Sequence, residues 1–162
     1  MRPMSVAAMV LVVSSVSVDT AAAQSISVHR VEISSDAARK MVEACVAYAE
    51  RNKLLVGAAV VGIDGVLIDF HLMQGATATN SETAILKAKT AAHWRRPTRE
   101  LEEWVKTGSN GAPAWIGDFP RAGGVPIVID GMVAGAIGVG GGGDGGDDCA
   151  QHAIDTVIRK RS

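Results

Sequence analysis

Aromatic residues are scarce: one Tyr, two Phe and three Trp make up 4% of 162 residues. An interior of stacked rings is thereby excluded, so the core has to be built from Val, Ile, Leu, Ala and Met. Cysteine is rarer still, at two residues. Cys45 and Cys149 do not form a closely spaced C-x-x-C pair, which removes support for a zinc or dithiol motif. Neither sign of charge prevails, and the net charge is -1. There is no electrostatic footing for nucleic acid or an anionic membrane surface. No apolar run reaches the roughly 20 residues of a membrane span. A phosphate loop, an H-E-x-x-H pair and zinc-ligand spacing are missing too.

What remains is a composition of 48% hydrophobic and 20% charged residues, with 18 glycines. A chain of this length forms one domain with one core. Small residues let elements approach closely, as tight packing or subunit contacts require.

Residues 1–23 read as a secretion signal. Arg2 gives a minimal positive start, Val6 to Val13 is uninterrupted and apolar, and Ala21-Ala22-Ala23 precedes Gln24 as a cleavage site would. The mature chain, 24–162, is then periplasmic or secreted. In an oxidising compartment Cys45 and Cys149 can pair. Cys45 falls on an apolar helix face, however, where a free thiol behaves as a small hydrophobe, and two unpaired thiols are the expectation.

Periodicity gives the order of elements. Behind Ser34-Ser35-Asp36, a helix is predicted over Ala37 to Lys53, with Ala38, Met41, Val42, Cys45, Val46 and Ala49 on one face. Val56 to Ile63 and Val66 to Met73 are strands joined by Asp64-Gly65, a two-residue turn. In the second strand Val66, Ile68, Phe70 and Leu72 alternate with Leu67, Asp69, His71 and Met73. Thr79 and Glu82 have capping-box spacing for a helix to about His93, with Ile85, Ala88 and Ala92 buried and Lys87 and Lys89 on its polar flank. Thr98 caps a shorter helix, Arg99 to Lys106. Val125 to Ile129 and Met132 to Val139 form a second hairpin about Asp130-Gly131, and a helix from Cys149 to Arg159 closes the chain. The fold class is α+β, a mainly antiparallel sheet with two Asp-Gly hairpins, covered by helices.

Several groups of residues suit ligand chemistry. His71 and Met73 share one side of a strand, and both residue types serve as axial ligands to haem iron. His93-Trp94-Arg95-Arg96 ends the second helix with an imidazole, an aromatic plane and two fixed cations. Arginine's planar fork suits carboxylates such as haem propionates; a cationic helix end favoured by its own dipole is the plainer account. Glu100 and Glu103 form an E-x-x-E pair that reads first as a solvated helix face. Gly138 to Gly143 fits G-x-G-x-x-G, but no parallel strand or acid follows at the distance a dinucleotide site needs, so it reads as a strand-to-helix connection.

Ser81 to Thr98 (SETAILKAKTAAHWRRPT), Gly123-Gly124-Val125-Pro126-Ile127 with Asp130-Gly131, and Gly135 to Val139 with the glycines and Asp147-Asp148 occur in order. Together these blocks resemble the GlcG/HbpS family, the haem-degrading domain that also ends PduO-type proteins. Leu72 and Gln74 stand where that family often has Arg and Asp, and glycines replace its Ser-Gly. The resemblance implies a profilin-like sandwich, a homo-oligomer (often an octamer), and haem as the ligand. It makes the chain an exported haem-binding protein for binding, sensing or degradation. His71 or His93 is then the iron ligand, Met73 packs the porphyrin, and Arg95 and Arg96 hold the propionates. The alternatives are an enzyme acting on a small organic molecule and an oligomeric module for a sensor partner.

Overall fold

The computed structural model describes residues 30–158. The proposed signal, the start of the mature chain and Arg159-Lys160-Arg161 lie outside these residues. Helix α1 (Ser35–Arg51) leads into β1 (Gly57–Gly62) and β2 (Leu67–Leu72). Helix α2 (Ala78–Trp94), α3 (Thr98–Thr107) and the single turn α4 (Ala112–Trp115) follow. Strands β3 (Gly124–Ile129) and β4 (Met132–Gly140), a 3-10 turn (Gly143–Gly145) and α5 (Gly146–Ile158) complete the chain.

The four strands form one antiparallel sheet in the order β2-β1-β4-β3. Its two faces carry different cores. On one side Ala58, Val60, Ile127, Ile137 and Val139 pack against Met41, Val42 and Cys45 of α1 and Ala150, Ala153 and Ile154 of α5. On the other, Ala59, Val61 and Ala136 meet Ala84, Ala88, Ala91 and Ala92 of α2. The α2 side has almost no large side chains because the helix lies directly on glycine. A Cβ on Gly138 would stand 2.1 Å from the Ala84 carbonyl oxygen, and one on Gly140 2.0 Å from that of Asn80. Gly138 to Gly140 are thus the end of β4 and the seat of α2, and only the glycines from 141 onward make the expected strand-to-helix connection.

Local chemistry explains the boundaries. Ser34 caps α1 by accepting the Ala37 N–H at 3.2 Å. Thr77, not Thr79, caps α2: its hydroxyl accepts the Asn80 N–H at 3.3 Å, which starts the helix two residues before the capping-box pattern. Thr98 lies inside the first turn of α3 rather than capping it. Its hydroxyl is drawn away to the Arg121 carbonyl (2.7 Å) and the Gly124 N–H (2.8 Å).

The two hairpins differ. Asp130 and Gly131 both have positive φ (50° and 76°), as the two-residue turn between Ile129 and Met132 requires. At the first hairpin only Gly65 does (φ 77°), and Gly62 pairs with Val66 across a three-residue loop, Ile63-Asp64-Gly65. The extra residue appears in the ladder as a slip between Val60–Asp69 and Val61–Leu67. As a result Ile68 and Phe70, expected on one face, pack into opposite cores.

Cys45 and Cys149 are joined by a disulfide, Cα–Cα 5.0 Å. The expectation of free thiols is overturned, because α1 and α5 lie side by side on one face of the sheet and bring together residues 104 positions apart.

Lys87 also departs from expectation. It is 9% exposed, and its ammonium donates to the Val139 carbonyl at 2.9 Å. Burial holds its pKa below the ordinary lysine value, with the Asp147 carboxylate opposing that shift. Nearby, Asp147 accepts the Gly123 N–H (2.5 Å) and pairs with Arg99. The Glu102 carboxylate accepts the Ala122 N–H at 2.8 Å and pairs with Lys106 (3.0 Å) and Arg121 (3.1 Å). Burial pushes the Glu102 pKa up, but the amide and the two cations outweigh it, so the group titrates below its ordinary value of 4.5.

A depressed carboxylate pKa stabilises the folded state above the unfolded value and loses that contribution as pH falls through the folded value. Glu102→Gln is therefore expected to cost about 1–3 kcal/mol at pH 7. It should also flatten the fall in stability below about pH 4.5. Urea unfolding of both proteins between pH 7 and pH 3 checks this; parallel pH profiles would show that Glu102 is not the titrating group.

Candidate functional site at the C-terminal end of α2

Helix α2 places Lys89 and His93 one turn apart on one side, since residues four apart share a helix face. The helix ends in Arg95, which takes a left-handed conformation (φ 53°) usually left to glycine and costing roughly 1 kcal/mol in other residues. The segment after α3 then returns beneath the helix end. It is fixed there by the Phe119 N–H donating to the Thr90 hydroxyl at 2.9 Å.

This return delivers Asp118. Its mostly buried carboxylate lies 3.2 Å and 3.3 Å from His93 Nδ1 and accepts the Trp94 indole N–H at 2.5 Å. The hydrogen-bond network assigns the Nδ1 proton to the Asp118 contact, which leaves the lone pair of Nε2 for a ligand. Trp94 stands edge-on to Trp104, ring centres 6.2 Å apart, so the helix end is braced on two sides.

His93, Lys89 and Asp118 line a cleft of about 400 Å³ with Ile63, Asp64 and Gly65 of the first hairpin loop. A second depression of about 550 Å³ is lined by Arg30, Val31, Arg95, Gly131, Met132 and Val133, and it shares Ile63 and Asp64 with the first. The two adjoin at the end of the sheet where both turns lie. Lys89 and Arg95 make no ion pair among the described residues, so both cations stay available. This surface offers an oriented imidazole, unpaired positive charge and apolar walls. Those features suit a flat apolar ligand that carries carboxylates.

The sequence candidates do not all gather here. Arg96 is engaged elsewhere: it pairs with Glu100 at 3.1 Å and lies 5.5 Å over the Trp104 ring. His71 is exposed on β2, opposite Ala58, and so on the α1–α5 face of the sheet. Met73 packs against that same core. His71 and Met73 therefore share a side of the sheet, as their spacing predicts, but it is the side away from α2 and His93. Glu100 pairs with Arg96 in the link between α2 and α3, Glu103 pairs with Lys106 of α3, and no group of three or more His, Cys, Asp or Glu suited to a metal ion occurs among the described residues. Asp118 had no sequence signal; it lies 25 residues from His93 in a segment without periodicity.

Residues 33–155 match the family model described as "Haem degrading protein HbpS-like". This chain belongs to the HbpS-like family. The match runs from the residue before the α1 cap into the last turns of α5, so both cores and the α2 cleft fall within it. Protein GlcG of Escherichia coli is 33% identical over 113 residues, covering 68% of this chain and 82% of GlcG. A double mutant of HbpS from Streptomyces reticuli superposes with a TM-score of 0.76 at 25% identity, covering 93% of this chain and 98% of that one. A structure titled as a PduOC:heme complex gives a TM-score of 0.73 at 27% identity, covering 78% and 96%. The HbpS-like fold was thus correctly anticipated from the sequence blocks. Among the described residues no helix is long and apolar enough to cross a membrane.

Proposed function

We propose that this HbpS-like chain is an exported haem-binding protein that takes its ligand at the end of α2. His93 supplies the iron ligand through Nε2, Asp118 orients the ring, and Lys89 and Arg95 receive the propionates. The carrying observation is the carboxylate–imidazole contact at 3.2 Å beside two unpaired cations and the apolar Ile63, Met132 and Val133. Bound haem would supply the iron chemistry; the chain's own residues orient the imidazole, balance the carboxylates and limit access of water. Arg95 in its left-handed conformation fits this role, since glycine would relieve the backbone and only the side chain gives a reason to keep arginine. The family's description as haem-degrading and the haem in the PduOC structure support the choice of ligand. The disulfide supports export to an oxidising compartment, where such bonds persist.

Haemin titration of the full chain, followed by absorbance, tests the proposal. A saturable Soret shift at fixed stoichiometry is expected. His93→Ala should move the band and weaken binding about tenfold or more, the loss of one good directed contact. Lys89→Ala with Arg95→Ala should weaken binding comparably without moving the band. A band unmoved by His93→Ala removes that residue as the ligand. A titration that never saturates removes haem itself.

A further inference from the structure

The two edges of the sheet are treated differently. In the β3–β4 ladder the Val139 N–H donates to the Gly123 carbonyl, which sets the alternation so that the backbone groups of Gly124 and residue 126 face outward. These two positions are closed, the Gly124 N–H being taken by the Thr98 hydroxyl and residue 126 being proline with no N–H, which leaves only Val128 facing outward near the end of β3. At the other edge, the Met73 N–H donates to the Val56 carbonyl, and the Val60–Asp69 and Gly57–Leu72 pairs continue that register. The N–H and C=O groups of Phe70 and Leu72 therefore face outward, and no residue among those described covers them. Val66 (62% exposed) and Leu67 (43%) leave apolar surface beside this open edge.

We infer that β2 is the pairing edge for a second copy of this chain, the two β2 strands lying antiparallel about a two-fold axis at Phe70. The register follows from the open groups. Phe70 of each copy exchanges both backbone bonds with Phe70 of the other. Asp69 of one copy then stands opposite His71 of the other, in a non-hydrogen-bonded pair, where side chains approach most closely. The axis makes this contact twice, so one strand carries both halves of a self-complementary pair, an imidazole N–H donor and a carboxylate acceptor. Asp69 and His71 both lie on the α1–α5 face and have no partner within their own copy among the described residues. The inference goes beyond haem binding and does not depend on it.

Sedimentation equilibrium of the full chain without ligand tests the pairing. Assemblies with an even number of copies are expected. Asp69→Lys and His71→Asp should each weaken the pairing about tenfold, because each spoils two cross-strand pairs. The two changes together place Lys opposite Asp and should return the affinity to within about threefold of the parent. Leu72→Pro removes an outward N–H that the β1 ladder does not use, so it should abolish pairing with an unchanged far-ultraviolet circular dichroism spectrum. A monomer at every concentration overturns the inference, as does an assembly indifferent to the single changes and to Leu72→Pro. A charge swap that folds yet associates no better than the singles refutes the Asp69–His71 register.

Discussion

Replacing Cys45 and Cys149 together by alanine is expected to lower the unfolding free energy by roughly 4–5 kcal/mol, the chain-entropy value for a loop of about 100 residues. The bond closes a loop with a sequence separation of 104, which takes in β1 through β4 and the 3-10 turn. In the unfolded chain that closure removes a large share of the accessible conformations. In the folded chain both residues are fully buried between α1 and α5. Two alanines also leave a small void where the sulfurs were, which adds to the loss. Urea unfolding of the oxidised parent and the double variant gives the difference directly. A loss under about 1 kcal/mol would mean that the unfolded chain already holds the two helices together. The loss should spare the cleft at the end of α2 in the folded variant, because α2 lies on the opposite face of the sheet.

Gly138→Ala is expected to be as damaging by an unrelated route. The new methyl would lie 2.1 Å from the Ala84 oxygen and 2.4 Å from the Ala88 nitrogen. Both obstacles are backbone, so no side chain can swing aside. Helix α2 has to lift, and every contact between its alanines and Ala59, Val61 and Ala136 loosens. Overpacking of this severity costs about 3 kcal/mol or more. The lift also carries His93 away from Asp118, so haemin affinity should fall with stability. Gly131→Ala is the comparison: its φ is 76° but nothing lies within 4 Å of an added Cβ. It should cost only about 1 kcal/mol of backbone strain and leave the cleft intact. Denaturant unfolding of the two variants separates the cases, and equal small losses would refute the seat described for α2.

The elements were legible in the sequence because their signals are local. Ala38, Met41, Val42 and Cys45 mark the buried face of α1 within three turns, and Asp130-Gly131 states its own turn geometry. Misreadings arose where a distant partner decides. Thr98 looks like a cap until the Arg121 carbonyl and the Gly124 N–H compete for its hydroxyl. Lys87 looks like a surface residue until the end of β4 presents the Val139 carbonyl to it. The bulge at Ile68 follows from the length of the first hairpin loop, and Asp64-Gly65 alone does not fix that length.

The site was legible by half. His93 and Arg95 announced themselves as a helix end rich in donors. Asp118 did not, since an aspartate in an aperiodic segment carries no mark of the imidazole it will meet. Spacing put His71 and Met73 on a common side correctly, but which side of the sheet that is depends on strand pairing.

Pro126 has a further effect once many copies are present together. A sheet with two receptive edges would recruit copy after copy into a ribbon. With proline and the Thr98 hydroxyl blocking most of the other border, the pairing inferred at β2 does not pass on through β3 to a further copy. The molecule is its own chain terminator: a concentrated solution of folded protein should hold closed, even-numbered assemblies rather than growing fibres.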